Sequence, residues 1–321
     1  MSKILSLLLL VTLFWSCKQE ELKKQVRIGF NPWPGYEVIY LAKHLGYYEE
    51  EGVDVKLVEL GSLGDTRSAF EKGSIDVASS TNIELVQVRS RMKKQAQAFC
   101  VFNYSNGGDV ILSRESIKSV KDLKGKTVAA EGGSLNVYVL QRALEKNGLS
   151  LKDVKVSYLD QSSMKGAFER GELDALVTYP PFSIELSHAH KVNQIFSTKE
   201  IPAEVLDILV ADKQYIVENQ VTLQKMLKAM DRAIDYMYAN KEEAYAIMAA
   251  RQKISSKEFQ ETIENDLQVL RFKDQKALFQ AKGTVEKALL KTFEVMKNTD
   301  NMKGDLGAEN LQTDLIIQSF K

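Results

Sequence analysis

The chain repeats itself. Ala69-Phe-Glu-Lys-Gly-Ser-Ile-Asp-Val-Ala78 reads like Ala167-Phe-Glu-Arg-Gly-Glu-Leu-Asp-Ala-Leu176 at an offset of 98 residues. Asp54-Val-Lys-Leu-Val-Glu-Leu60 matches Asp153-Val-Lys-Val-Ser-Tyr-Leu159 at an offset of 99. Leu41-Ala-Lys-His-Leu-Gly46 parallels Ala143-Leu-Glu-Lys-Asn-Gly148 more loosely, and Val26–Phe30 and Lys126–Ala130 are both short apolar runs. Repetition in a fixed order restricts the chain to two similar units placed side by side.

Each copy reads strand, helix, strand, helix, strand. The predicted strands are Val26–Phe30, Val53–Leu60 and Ile75–Ser79 in the first, and Thr127–Ala130, Val154–Leu159 and Leu173–Thr178 in the second. They are short and rich in β-branched residues. The helices between them, Val38–His44, Asp65–Lys72, Asn136–Lys146 and Ser163–Arg170, carry apolar residues at helical spacing. Gly46, Gly73, Gly148 and Gly171 stand where a left-handed residue closes a helix. Strands alternating with helices give parallel sheets, so the expected fold class is α/β with two duplicated lobes. After a further strand, Val205–Ala211, the pattern turns helical over about 213–251, 256–268 and 282–298. The stripe Met226, Ala229, Met230, Ala233, Ile234 and Met237 has the period of a core-facing helix side.

The first residues read as a leader. Lys3 precedes an apolar run from Ile4 to Trp15, then Ser16 and Cys17, after which the chain turns polar. This run of 12 residues, ten of them apolar, is too short to span a bilayer, which takes about 20, but it suits a signal peptide. The pattern resembles a bacterial lipoprotein signal in which Cys17 is acylated, although Phe14 stands where such signals usually carry leucine; an uncleaved anchor or a plain secretory signal is the alternative. The expected divisions are a signal peptide at 1–16, a lipid-anchored tether at 17–25, lobe 1 at 26–107, lobe 2 with its hinge strands at 108–211, and a helical region at 212–321 packing mainly on lobe 1. With the leader removed, 42 basic residues face 43 acidic ones, and Trp33 is the one tryptophan left. That balance argues against a nucleic-acid partner. Two cysteines in 321 residues exclude a disulfide scaffold. Cys100, within Ala-Phe-Cys-Val-Phe, has the setting of a core residue.

Residues 26–212 resemble the periplasmic solute-binding proteins of bacterial ABC importers, type II fold, of the group that binds nitrate, sulfonates, taurine and thiamine precursors. The resemblance rests on Gly29-Phe-Asn-Pro-Trp-Pro-Gly-Tyr36, Tyr40-Leu-Ala, His44-Leu-Gly-Tyr-Tyr-Glu-Glu-Glu-Gly-Val-Asp-Val55, the paired Gly-x-Ile/Leu-Asp strands, and Val120-Lys-Asp-Leu-Lys-Gly-Lys-Thr-Val128 with Glu131-Gly-Gly-Ser134. It implies two lobes joined by hinge strands, here Gly108–Arg114 and Val205–Ala211, that close on a small-molecule ligand. It further implies an ABC permease as partner, a location in the periplasm or at the cell surface on a lipid anchor, a monomer, and neither cofactor nor catalysis. Three other readings stay open: an enzyme of the same fold in pyrimidine or menaquinone precursor synthesis, a ligand-sensing lipoprotein serving a signalling partner, and a structural or adhesive lipoprotein.

In open α/β sheets ligands lie beyond the carboxyl ends of the strands. Five segments fall there. Asn31–Glu37 offers Trp33 and Tyr36 as stacking faces and Glu37 as a carboxylate. Ser79–Asn82 offers Ser80 and Asn82, or merely a helix cap. Asn106–Asp109 offers Asp109. Glu131–Asn136 opens a helix and offers Gly133, Ser134 and Asn136. Thr178–Pro181, taken as the counterpart of Ser79–Asn82, offers Tyr179. None of the five holds a lysine or arginine, whereas three carboxylates and three aromatics are present. That set suits a nitrogen-bearing, partly cationic or heteroaromatic ligand better than an anion. No metal-ligand spacing or nucleophile–base pair is evident around His44, His188 and His190.

Overall fold

The computed structural model describes residues 25–91, 95–297, 311–314 and 316. The leader, Cys17 and the tether up to residue 24 lie outside the described residues. The strands are β1 Val26–Phe30, β2 Val55–Glu59, β3 Val77–Thr81, β4 Ala96–Ser105, β5 Val110–Arg114, β6 Thr127–Ala130, β7 Lys155–Tyr158, β8 Ala175–Thr178, β9 Val192–Ser197, β10 Leu206–Asp212 and β11 Leu267–Val269. They form two sheets, ordered β11-β4-β10-β3-β1-β2 and β7-β6-β8-β5-β9.

The duplication is visible in the ladders. β1 lies parallel between β2 and β3, and β6 lies parallel between β7 and β8. Gly29 faces Ala78 in one sheet and Ala129 faces Leu176 in the other, so β3 and β8 are equivalent at an offset of 98. Thr81 therefore corresponds to Tyr179, one residue away from the pairing expected from the sequence. Each sheet then gains an antiparallel strand beside its third: β10 on β3, and β5 on β8.

The two strands expected to form the hinge do not span the lobes. β5 pairs only within the second sheet, and β10 pairs with β3 and β4 in the first. The chain crosses in the short stretches before them, 106–109 and 198–205. Ser105 and Thr198 join these crossings through an Oγ–Oγ hydrogen bond of 2.8 Å. Thr198 Oγ1 also accepts the Gly107 N–H at 2.8 Å.

The C-terminal helices cover lobe 1 on both faces. The buried stripe of the helix Gln220–Ala239 joins Phe99, Phe102 and Val77 in one core. Each large apolar side chain fully buried there contributes about 1.5–3 kcal/mol. The helix Thr284–Met296 packs with Leu85, Val86 and Ile208 on the other face, while its Val295 and Met296 reach the core of lobe 2. The predicted helix 213–251 is three helices, Lys213–Glu218, Gln220–Ala239 and Lys241–Gln252. Asn219 and Asn240 mark the breaks. Their amides donate to the carbonyls of Tyr215 (2.8 Å) and Tyr236 (3.2 Å), which competes with the helix ladder. The predicted helix 256–268 ends at Glu261, widens into a π turn over Thr262–Asp266, and becomes β11. There Leu267 is buried and β11 pairs with the edge of β4. Cys100 is fully buried in β4. Among the described residues no helix is long and apolar enough to cross a membrane.

Candidate functional site

The carboxyl ends of β1, β3, β6 and β8 face each other across the gap between the sheets. There Asn31, Trp33, Tyr36, Leu63, Thr81, Asp109, Leu135, Tyr179 and Asp207 enclose a cavity of about 10 Å³. That is room for about one water molecule, so the lobes are drawn together over the site. Each of the five segments picked from the sequence supplies at least one lining residue. Leu63 and Asp207 come from outside them.

Trp33 and Tyr36 are fixed from below. The stretch Pro34–Tyr36 is a turn of 3₁₀ helix with proline at its start, which suits the missing N–H of proline. Trp33 Nε1 donates to Asp207 Oδ2 at 3.1 Å. Tyr36 OH lies 2.8 Å from Asp207 Oδ1 and 2.9 Å from the carbonyl of Ser80. A Cβ on Gly108 would stand 2.6 Å from Trp33 Cη2, so only glycine lets the indole lie against this crossing segment. Across the gap, Tyr179 meets Trp33 edge to face, with centroids 5.8 Å apart and planes at 81°. Phe182 backs Tyr179 in the same way at 5.6 Å.

The two aspartates are equivalent by the duplication. Asp207 faces Thr81 on β3, and Asp109, one step ahead of Val110, falls opposite Tyr179 at the end of β8. Their environments differ. Asp207 is held by Trp33 and Tyr36. Asp109 is 1% exposed, and neither carboxylate oxygen has a hydrogen-bond partner. The Ser105 hydroxyl beside it is shared between the Asp109 N–H (3.2 Å) and Thr198. Burial pushes the Asp109 carboxyl up to about 7, and the nearby Glu84 charge adds to the rise. Burial, and then Asp109, drives Asp207 well above the ordinary range against the pull of Tyr36 and Trp33. Glu131, 3% exposed and with Oε2 unpartnered, is pushed up to about 7, again by burial first. The site is thus a closed acidic pocket with aromatic walls.

The other predicted residues have different duties. Glu37 is buried, but Arg251 Nε (2.9 Å) and Gln252 hold its carboxylate, and it does not line the cavity. Asn82 is fully engaged: Oδ1 accepts the Leu206 N–H (2.8 Å), and Nδ2 donates to the Glu204 carbonyl (3.0 Å) and Thr292 (2.7 Å). Ser80 Oγ donates to the neighbouring Thr81 carbonyl at 3.3 Å. Ser134 caps its helix through the Asn136 N–H, and Gly133 gives its carbonyl to Arg67. Asn136 Oδ1 accepts from Gln161 at 2.7 Å, while its Nδ2 stays unpartnered. Arg67, on the helix Leu63–Glu71, is a cation at the cleft edge that the five segments did not include. His188 pairs with Glu258 at 2.6 Å and His190 with Glu169 at 3.3 Å, both outside the cavity lining. Among the described residues no cluster of histidine, cysteine and carboxylates is set to hold a metal ion.

Asp207 had a signal in the sequence. It is the single acid within Val205-Leu-Asp-Ile-Leu-Val-Ala211, and a charge inside a buried strand needs a partner.

The profile of the family described as NMT1/THI5 like matches residues 33–244. A formylaminopyrimidine-binding protein of Halalkalibacterium halodurans is 24% identical over 282 residues, covering 84% of each chain. A 4-amino-5-hydroxymethyl-2-methylpyrimidine phosphate synthase of Candida albicans is 24% identical over 255 residues, covering 74% of this chain and 72% of the other. The alkanesulfonate-binding protein of Xanthomonas axonopodis pv. citri, solved with MOPS bound, shares the fold. Its TM-score is 0.76 at 19% identity, over 90% of this chain and 98% of that one.

Proposed function

The chain belongs to the NMT1/THI5-like family, and from that premise we propose that it is an extracytoplasmic solute-binding protein that closes its two lobes on a small nitrogen-bearing ligand and delivers it to an ABC permease. The observation that carries this reading is Asp109: a buried carboxylate with both oxygens unpaired, lining the cavity beside Trp33 and Tyr179. A buried carboxylate without partners is costly. A ligand N–H or N⁺–H placed between Asp109 and the aromatic walls would satisfy it and gain a cation–π contribution. Closure removes water and strengthens each such contact. The pyrimidine named for the Halalkalibacterium relative has this chemistry, with ring and exocyclic nitrogens on a flat face. Acylated Cys17 would keep the receptor near its membrane partner.

Differential scanning fluorimetry tests the ligand class. With 4-amino-5-hydroxymethyl-2-methylpyrimidine at about 100 times its Kd, mass action adds about 2.7 kcal/mol. The expected rise in Tm is roughly 5–10 °C. Tryptophan emission should change on titration, and the change should vanish in Trp33→Phe. Stabilisation by taurine or nitrate, with none by the aminopyrimidine, would overturn the ligand class.

A further inference from the structure

One buried carboxylate of lobe 1 reaches across the gap to lobe 2. Glu84 belongs to lobe 1 and is fully buried in the helix Asn82–Arg91. Its Oε1 accepts the backbone N–H of Leu135 at 2.6 Å, and its Oε2 accepts the Thr81 hydroxyl. Leu135 is the first residue of a 12-residue helix in lobe 2, Leu135–Lys146. The start of a helix presents free N–H groups and the positive end of the helix dipole. Two further groups make this corner attractive to an anion. Burial raises the Glu84 carboxyl above its ordinary value, and the Thr81 hydroxyl, the Leu135 N–H and the nearby Arg67 charge pull against that rise. Asn136, on the same first turn, is 1% exposed with its Nδ2 unpartnered.

We infer that Glu84 is a built-in anion that fills the helix start of lobe 2 when the lobes close, and is thereby the residue that excludes sulfonate, nitrate and similar anions from this cleft. The Leu135 N–H, the Thr81 hydroxyl and the nearby Arg67 form an anion cradle, and the protein's own side chain occupies it. A sulfonate entering the closed cleft would find the Leu135 N–H and the Thr81 hydroxyl already taken by Glu84, with the Asp109 carboxyl also in the cavity lining. Selectivity then arises from repulsion at one corner as much as from attraction at another. This deepens the proposed function and rests on reading the cleft as a ligand site.

The test compares wild type, Glu84→Ala and Glu84→Gln, titrated with methanesulfonate and with nitrate at constant ionic strength, by calorimetry and differential scanning fluorimetry. Wild type is expected to show no response. Glu84→Ala frees the Leu135 N–H and should bind methanesulfonate about ten- to a hundredfold more tightly than wild type, the scale of one charge-assisted hydrogen bond. Glu84→Gln keeps the shape and still accepts the N–H, so a smaller gain is expected. It also carries the test if the alanine variant does not fold. Wild type binding methanesulfonate as tightly as the variants would overturn the inference, as would folded variants with no gain for either anion. The aminopyrimidine is titrated into wild type alone, so its failure strikes the ligand class and leaves the anion comparison standing.

Discussion

Asp109→Asn is expected to make the ligand-free protein more stable at pH 8 while removing ligand capture. The native state keeps the Asp109 proton up to about pH 7, whereas an unfolded aspartate releases it near pH 4. Between those values the native state binds more protons than the unfolded chain, so stability falls as pH rises and levels off above about 7. A rise from 3.8 to about 7 corresponds to roughly 4 kcal/mol at full ionisation. Asparagine has no charge to bury, so it escapes that penalty. The difference in Tm between variant and wild type should therefore be smaller near pH 5 and grow in the variant's favour toward pH 8. Binding of an amine or aminopyrimidine should weaken about ten- to a hundredfold, because the variant offers no anionic acceptor. Equal destabilisation at pH 5 and pH 8 would refute the account of Asp109. Gain of stability with loss of capture is the mark of a group kept for its ligand.

Asn82→Ala is expected to do the reverse. Asn82 ties the end of β3 to Glu204 in the crossing segment, to Leu206 at the start of β10 and to Thr292 in the last described helix. Truncation leaves the buried Leu206 N–H and the Glu204 carbonyl without these partners. The cost is about 2–4 kcal/mol for the set, or a fall in Tm of roughly 5–10 °C. Because Asn82 does not line the cavity, ligand affinity below the new Tm should stay within about threefold of wild type, a change worth under 1 kcal/mol. A large loss of affinity with an unchanged Tm would instead place Asn82 in the ligand contact set.

These two residues show how far the chain could be read unaided. Both are polar and stand beside strand ends, Asn82 just after β3 and Asp109 just before β5. Nothing local distinguishes them. The partners of Asn82 are 122 to 210 positions away in the chain, whereas Asp109 lacks any for its carboxylate. Glu37 gives the same lesson, since Arg251 and Gln252 take its carboxylate from more than 200 positions away.

The repeat, the alternation of strands and helices, and the placing of five loops at strand ends follow from the sequence alone. Hydrophobic period and turn chemistry are local properties, and a duplication displays them twice. The tertiary structure decided which polar groups are consumed and which stay open. It joined Asp207 to Trp33 across 174 positions, left its duplicate Asp109 bare, and brought Glu84 to the helix start of the opposite lobe. A side chain's role at a buried site depends on the partners that remain within about 3 Å once water is gone. That count exists only after distant parts of the chain have met.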